Sequence, residues 1–392
     1  MKIGFVTTTY PRYEGDGAGV FLANQVESLR KLGHDVKVIA PEFDGDTCGE
    51  LQAGVIRVKF RPRAARKITY GSGIWPNLRK NPLLFFAMPG FLKSFERTIQ
   101  REFGDRDIIE ALFTSAGKAL IKARRPGQAI VYAGHGSDIH LLERSAYYRR
   151  YFYNMIRKYD AVTVVSRHLA SNVTSHFADI SPIEVPNAVP DEAFEYERRW
   201  RDEPAAIYAS RLIALKRIDM LVSGWASVVS HFPAAKLIVF GDGPLLQKCK
   251  AICRDKRIEN NVEFRGLVSQ KELWEEIGQG WLTVLPSMKE GFPMPLVESL
   301  ACGCPFLSAP CGAAPEIAKE TGGGIIIDEP LTPEKIAKSI IEIFKNKESL
   351  EKMKKNGRNE VLMIYSSREI ALQKIGIYEM ALNNLNNYHE ND

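Results

Sequence analysis

Short apolar runs rich in β-branched residues alternate with amphipathic stretches along this chain, and this alternation limits the possible folds more than any other feature. Residues 2–8 predict a buried strand, and residues 20–32 carry apolar side chains at helical spacing until Gly33 ends the helix. Residues 35–40 predict the next strand. This order indicates an α/β fold, a parallel sheet covered by helices on both faces. Later strands of this series are predicted at residues 129–133, 161–166 and 183–185.

A second series of the same kind follows an interruption at residues 186–204, which holds three prolines and nine charged residues and is interpreted as a linker. A chain of 392 residues is longer than the roughly 250–300 that one core usually reaches, so two doubly wound domains are expected. The two domains are predicted to comprise residues 1–190 and 191–366. A helix in residues 367–392 is assigned to the first domain, although its sequence pattern would allow it to pack on either domain. The second series predicts strands at residues 205–209, 236–240, 261–264, 281–285, 305–308 and 324–327, and helices at 333–357 and 367–384.

Composition excludes several protein classes. Hydrophobic residues make up 45% of the chain and charged residues 26%, which excludes a mainly disordered, collagenous or coiled-coil protein. No apolar run approaches the roughly 18 residues of a membrane span, and the first residues lack the pattern of a signal peptide, so a cytoplasmic protein is expected. Six cysteines without histidines at ligand spacing indicate buried thiols rather than a disulfide scaffold or a metal site.

The net charge of +6 is unevenly distributed. Between Arg57 and Arg101 there are eleven Lys or Arg residues, and Glu96 is the only acid. Such a region favours an anionic partner: a phosphorylated acceptor, a membrane surface or nucleic acid. The region is also richer in Phe and Leu than a surface that follows nucleic-acid phosphates needs. We therefore favour a lipid-linked or membrane-proximal acceptor, with peripheral contact at the inner face of an anionic membrane, and expect no nucleic acid. The basic aromatic residues 147–158 predict either a core helix with a solvated face or an interfacial helix.

Arg211 and Lys216 follow the strand predicted at 205–209 and precede a helix. Five residues apart across a turn, the two cations can converge on one anion, and the amides of a helix N-terminus add donors. A diphosphate suits such a site, whereas the alternative is ordinary surface charge on a loop.

Glu290 and Glu298 flank the predicted start of a helix after the strand at 281–285. Two carboxylates at this spacing can accept hydrogen bonds from hydroxyls at opposite ends of a ligand, such as a sugar and a ribose. Glu290 equally suits a helix N-terminal carboxylate. Glu298 stands among Leu and Val, where a merely solvated role fits poorly.

Together these segments resemble the retaining glycosyltransferases of family 4, which have the GT-B fold of two Rossmann-like domains facing a central cleft. The resemblance extends over about residues 1–385 and depends on the number, order and spacing of the motifs. Besides the Arg–Lys pair and the two glutamates, it is carried by Gly17-Ala18-Gly19-Val20-Phe21, His135-Gly136-Ser137-Asp138, Pro186-Asn187-Ala188-Val189 and Gly241-Asp242-Gly243-Pro244.

The resemblance implies a role for each matching residue. The first domain would bind the acceptor and the second a nucleotide sugar. Arg211 and Lys216 would hold the diphosphate, Glu298 the ribose hydroxyls, and Glu290 a hydroxyl of the donor sugar. His135 would lie near the transferred sugar, and Asp138 would contact the acceptor or sugar or else cap its loop. The remaining donor-binding residues would be Gly19, Gly241, Gly291, Phe292, Pro293, Met294, Leu296 and Val297.

Two departures from the family pattern bear on the phosphate site. Ser210 stands where many members have glycine. Pro293 and Pro295 have no N–H group, so the phosphate would have to use the amides of Met294, Leu296 or Val297.

The expected activity is transfer of a hexose or N-acetylhexosamine from a UDP- or GDP-sugar to an acceptor hydroxyl, with retention and without a metal or cofactor. The acceptor would be a glycan or a lipid-linked molecule. A nucleotide-sugar epimerase or phosphorylase of the same fold is the alternative enzyme, and a basic protein that binds nucleic acid or membrane is the alternative of another class. Asp44, Gly45 and Asp46 match the Asp-x-Asp of metal-dependent glycosyltransferases, but two carboxylates in a polar loop are common. The sugar, base, acceptor, linkage and oligomeric state are left open.

Overall fold

The computed structural model describes residues 1–13, 15–43, 53–60, 63–69, 74–197 and 199–389, apart from the side chains of 63–65, 75, 76 and 386–389. The segment from Asp44 to Asp46 lies outside the described residues. The chain divides into two compact units. The first unit comprises Met1–Pro186 and Ile370–Asp392, and the second unit comprises Asn187–Glu369.

The first unit contains a seven-stranded, entirely parallel sheet in the order β3-β2-β1-β4-β5-β6-β7. The strand order reverses between β1 and β4, which makes the carboxyl edge of these two strands the place where such sheets bind ligands. The strands are β1 (Lys2–Val6), β2 (Asp35–Pro41), β3 (Val55–Val58), β4 (Ile108–Leu112), β5 (Ala129–Gly134), β6 (Ala161–Val164) and β7 (Ile183–Glu184), and the helices are α1 (Val20–Lys31), α2 (Ile74–Lys80), α3 (Met88–Glu102), α4 (Thr114–Ala123), α5 (Ala146–Ile156) and α6 (Arg167–His176).

Strands β3 and β4 were not predicted from the sequence, although β4 is the central strand of this sheet. All five residues of β4 are buried, but Glu110 at its middle interrupts the apolar run by which buried strands are recognised. The carboxylate of Glu110 accepts hydrogen bonds from Lys374 Nζ at 2.6 and 2.8 Å and from the Tyr378 hydroxyl at 2.7 Å. Both partners lie in the last helix, so this buried ion pair attaches the end of the chain to the first sheet.

The second unit contains a six-stranded parallel sheet in the order β10-β9-β8-β11-β12-β13, and its strand order reverses between β8 and β11. All six strands that the sequence predicted for the second series are present in this sheet. The strands are β8 (Ala205–Ala209), β9 (Lys236–Phe240), β10 (Val262–Gly266), β11 (Leu282–Leu285), β12 (Phe306–Ser308) and β13 (Gly324–Ile326). The helices are α7 (Ile218–His231), α8 (Leu246–Lys256), α9 (Gln270–Gln279), α10 (Met294–Ala301), α11 (Ala314–Thr321), α12 (Pro333–Lys345) and α13 (Lys347–Tyr365), and α14 (Ser367–His389) completes the described chain.

The structure adds detail to two segments of this unit. The helical stretch predicted at 333–357 comprises α12 and the first part of α13, because the Asn346 side chain accepts a hydrogen bond from Ser349 N and begins α13. The segment interpreted as a linker packs in part against the second unit. Asp191–Tyr196 forms a short 3-10 helix in which Ala193 is fully buried, and Arg358 donates to the carbonyl of Phe194 at 2.8 Å.

The buried-thiol prediction is confirmed for the five cysteines that the structure describes, all of which are buried and none of which forms a disulfide with another described cysteine. Burial raises the pKa of Cys249 and Cys253, which share one face of α8, to about 11. These thiols therefore stay protonated and serve as packing residues.

Candidate functional site

The loop after β8 presents the first predicted phosphate ligand. All residues of β8 are buried, and the chain emerges at Ser210 and Arg211. The Arg211 side chain is exposed and has no hydrogen bond or ion pair with any other described residue. One expectation needs correction: α7 begins at Ile218, after a short 3-10 helix at Ala214–Lys216, so Arg211 does not stand at a helix N-terminus.

Two glycines bring the loops after β8 and β9 into backbone contact. Gly241 has a φ of +115°, and a Cβ atom there would lie 2.1 Å from the carbonyl oxygen of Ser210. At Gly243 the corresponding distance to the Leu212 oxygen would be 2.5 Å. The Leu212 amide donates to the Asp242 carbonyl at 2.9 Å. Gly241, one of the predicted donor-binding residues, thus determines how closely the Arg211 loop can approach, since any side chain at position 241 would force the two loops apart.

Lys216 and Glu290 form a direct ion pair. Their side chains are only 13% and 14% exposed. The pair joins the loop after β8 to the loop after β11, which are also linked by a backbone bond from the Met288 amide to the Leu215 carbonyl at 2.9 Å. Because β8 and β11 are neighbours where the strand order reverses, both charged groups lie at the expected ligand-binding edge of this sheet. The sequence placed them on different parts of a ligand, whereas the structure brings them into contact.

Glu298 lies in the second turn of α10, as predicted, and is partly buried. Burial raises its pKa to about 7, and the Trp274 indole N–H nearby offsets part of that effect. A carboxyl group with this pKa changes charge near neutrality. It can accept hydrogen bonds from two hydroxyls when it is ionised, as the ribose role requires.

The segment that begins α10 is held mainly by its own backbone. The Met294 amide donates to the Phe292 carbonyl and the Leu296 amide to the Pro293 carbonyl, both at 3.0 Å. Two of the three amides predicted to bind phosphate therefore already donate to backbone carbonyls. The side chains of Leu296 and Val297 are core residues, so they can offer only backbone groups to a ligand. Phe292 packs on the Tyr365 ring at 5.6 Å between centroids.

Gly291 lies under another loop of the same sheet edge. The Ala313 amide donates to the Gly291 carbonyl at 3.2 Å, and a Cβ atom on Gly312 would lie 2.6 Å from the Glu290 carbonyl oxygen. The loop after β12 thus supports the residues next to the Lys216–Glu290 pair.

The remaining predicted residues belong to the first unit, and His135 is the most distinctive. Both of its ring nitrogens are buried without a hydrogen-bond partner among the described residues. Burial, together with the positive charge of Lys374, lowers the pKa of His135 to about 3. The imidazole is therefore neutral near pH 7 and can donate and accept hydrogen bonds, but it cannot act as a cationic acid.

Two aromatic side chains that were not predicted from the sequence to belong to the site pack against the His135 ring. Phe21 and Phe113 lie 4.7 and 5.8 Å from its ring between centroids. Phe113 has a φ of +69°, a region that L-residues rarely adopt, directly after β4. The available signal was its position at the carboxyl end of the central strand, which was not itself predicted.

Gly19 and Asp138 have supporting positions in the first unit. Gly19 begins α1 with a φ of +77°, and a Cβ atom there would lie 2.9 Å from the Cα of Tyr10. Its loop is fixed by Asp16, which accepts hydrogen bonds from Arg12 Nε at 2.6 Å and from the Ala18 amide at 3.2 Å. Asp138 is buried and accepts a hydrogen bond from the Tyr132 hydroxyl. The Asp138 side chain makes no cap hydrogen bond to the 3-10 helix that follows it, so both alternatives for this residue stay predictions.

Two family models match adjoining parts of the chain. Residues 15–193 match the model described as Glycosyltransferase Family 4, and residues 191–360 match the model described as Glycosyl transferases group 1. The chain belongs to the family 4 glycosyltransferases. Among curated relatives it is 26% identical to the N-acetyl-alpha-D-glucosaminyl L-malate synthase of Bacillus anthracis, over 96% of this chain and 97% of that protein.

Solved structures show that this glycosyltransferase has the GT-B fold predicted from the sequence. It matches sucrose-phosphate synthase from Thermosynechococcus elongatus with a TM-score of 0.78 at 17% identity, over 98% of this chain and 100% of that chain. It matches Anabaena HepE, solved in complex with UDP, with a TM-score of 0.71 at 17% identity, over 97% and 100% of the two chains. Within its described residues, no helix has the length and apolar character to cross a membrane.

Proposed function

We propose that this glycosyltransferase transfers a hexose or N-acetylhexosamine from a nucleoside-diphosphate sugar to an acceptor hydroxyl, with retention at the anomeric carbon. The observation that carries the proposal is the arrangement at the β8–β11 edge, where exposed Arg211 follows β8 and the ion pair of Lys216 with Glu290 joins the loops after β8 and β11. The complex of HepE with UDP supports a UDP-sugar as the first donor to test, beside a GDP-sugar. The acceptor in this proposal is a glycan or a lipid-linked molecule.

Charge development explains what Arg211 and Lys216 would contribute. When the bond between the sugar and the diphosphate breaks, negative charge grows on the distal phosphate. A cation already positioned there stabilises the transition state more than the bound substrate, which is the requirement for catalysis. Two cations roughly balance a diphosphate, so the proposed reaction needs no metal.

The other named groups would position the reactants. Glu290 would accept a hydrogen bond from a hydroxyl of the donor sugar, and ionised Glu298 would accept bonds from the ribose. Neutral His135 would hold a sugar hydroxyl rather than form a covalent adduct. With no side-chain nucleophile assigned, the acceptor would attack from the face that the diphosphate leaves, and the departing phosphate would take its proton.

Donor binding is the first test. Thermal-shift measurements with UDP, GDP and their sugars should raise the melting temperature for one nucleotide series, because a ligand at 100 times its Kd adds about 2.7 kcal/mol to folded-state stability. The Arg211→Ala variant should keep the melting temperature of the unliganded protein, since the side chain has no described partner. It should lose about 10²–10³-fold in transfer rate.

Controls separate this reaction from its alternatives. Arg254 is exposed on α8, away from the β8–β11 loops, and Arg254→Ala should keep full activity. Labelled donor incubated without acceptor should stay unchanged, because an epimerase would convert it. A product of inverted configuration would contradict the proposal, and so would normal turnover by Arg211→Ala. A metal chelator should leave the transfer rate unchanged, because the proposed reaction needs no metal.

A further inference from the structure

A segment of the first unit exposes three large apolar side chains. Residues Pro82–Ala87 form a short 3-10 helix that buries Leu84 and Ala87. Leu83, Phe85 and Phe86, here called the apolar tip, are 73%, 50% and 85% exposed. Single exposed apolar residues are ordinary, but three within four positions form a contiguous patch of the kind that marks an interaction site.

The apolar tip leads directly into α3, whose solvent side is basic. Lys93, Arg97 and Arg101 are exposed at four-residue spacing, which places them on one face of the helix. Two of them have neighbouring acids, Glu96 at 3.0 Å from Lys93 and Glu102 at 2.6 Å from Arg101. Arg79 and Lys80, on the other side of the tip, are also exposed.

The basic surface continues onto α4 and α5. Helix α3 packs along α4, and α4 packs against α5. Neither α4 nor α5 contains an acidic residue. Lys122 of α4 and Lys158 after α5 border a shallow groove with an apolar floor that includes Met155. These two lysines, Arg150 of α5 and Arg157 directly after it are all exposed. We call these cations, together with Lys93 and Arg97, the basic face.

We propose that the apolar tip and the basic face together dock this enzyme onto an anionic lipid bilayer. The tip would enter the boundary between headgroups and acyl chains, and the cations would meet lipid phosphates. Charge complementarity favours this occupant, because helices α3, α4 and α5 together hold seven Lys or Arg residues and only two acidic residues. A polynucleotide would use the cations but would leave three exposed apolar side chains without a role. The inference does not depend on which sugar is transferred.

Vesicle flotation with the full chain tests the proposal. The protein should float with vesicles of phosphatidylcholine and phosphatidylglycerol at 70:30, and should stay unbound with pure phosphatidylcholine. The tip variant Leu83→Ser/Phe86→Ser should bind at least about tenfold more weakly. The charge variant Lys122→Glu/Lys158→Glu should lose at least about 25-fold, since each cation near such a surface contributes about fivefold.

A matched control removes apolar surface elsewhere. Leu362 and Met363 on α13 are 50% and 70% exposed, and Leu362→Ser/Met363→Ser should float like the unaltered protein. All variants should keep their melting temperature, because only exposed groups change. Absence of binding to anionic vesicles would overturn the proposal. So would a tip variant that binds as well as the control, since a purely electrostatic polyanion site would behave in that way.

Discussion

At the scale of single residues, burial decides which charge each candidate group carries. His135 and Glu298 both sit where water is largely excluded, and in each case burial favours the neutral form. For His135 the neutral form persists through the physiological range, whereas Glu298, with a pKa of about 7, can exist in either state. The pH dependence of this enzyme should therefore report Glu298 rather than the histidine.

The first prediction concerns nucleotide affinity. If ionised Glu298 accepts the ribose hydroxyls, affinity for the nucleotide should increase as the pH rises, about tenfold per pH unit up to pH 7. Above pH 7 the affinity should be constant, because the carboxyl group is then mostly ionised. Titration calorimetry from pH 5.5 to 8.5 measures this. Glu298→Gln should bind with a flat profile, and an unaltered protein with a flat profile would remove the ribose role.

The second prediction concerns stability at the same residue. A carboxyl whose pKa rises from 4.5 unfolded to about 7 folded stabilises the folded state below pH 4.5, and this contribution disappears as pH rises through 7. At about 1.4 kcal/mol per pKa unit, the Glu298→Gln variant should gain up to about 3 kcal/mol relative to the unaltered protein between pH 4.5 and 7. Urea unfolding at several pH values measures the difference. A constant difference would show that the carboxyl is not buried as described.

At the scale of elements, the site depends on how closely loops can approach. The strands of the second unit were predictable because they are short apolar runs between turn residues, and the Glu290 and Glu298 positions followed from them. The start of α7 at Ile218, the split between α12 and α13, and the contact of Lys216 with Glu290 were not predictable. Each depends on which backbone or side-chain partner a residue meets, and a single sequence does not specify that partner.

The third prediction tests this loop contact. Gly241→Ala should destabilise the protein by about 3 kcal/mol or more and weaken nucleotide binding, because the new Cβ would overlap the Ser210 carbonyl and displace Arg211. Gly266→Ala is the matched control. Gly266 also has a positive φ, +72°, but a Cβ atom added there would meet no other atom within 4 Å. This substitution should therefore cost only about 1–2 kcal/mol of stability. Equal losses in chemical unfolding would mean that backbone strain, not contact between loops, explains the glycine.

At the scale of the whole molecule, the chain returns to the first unit through its last helix. The ion pair between Glu110 and Lys374 is almost completely buried, with side-chain exposures of 0% and 5%. Removal of one partner from such a pair leaves an uncompensated charge and typically costs about 3–5 kcal/mol. Helix α14 is therefore a structural part of the first unit, because its Lys374 is paired with Glu110 of the central strand.

The fourth prediction follows from that pair. Lys374→Met should speed amide hydrogen exchange in β1, β4 and β5, as measured by mass spectrometry, while Lys338→Met, at an exposed lysine of α12, should not. The double variant Glu110→Leu/Lys374→Met should recover much of the protection, because neither charge then remains buried. Unchanged exchange in the single variant would contradict a stabilising role for the pair.

The sequence by itself determined the α/β class, the two series of strands, the GT-B family and the residue types at the strand ends. These follow from local periodicity and turn chemistry, which a short window of sequence contains. Only the tertiary structure decided that β4 occupies the centre of its sheet, that Lys374 neutralises Glu110, that Lys216 meets Glu290, and that Glu298 has a pKa near neutrality. Each of these depends on burial and on partners distant in sequence, because desolvation and ion pairing arise only when the chain is folded.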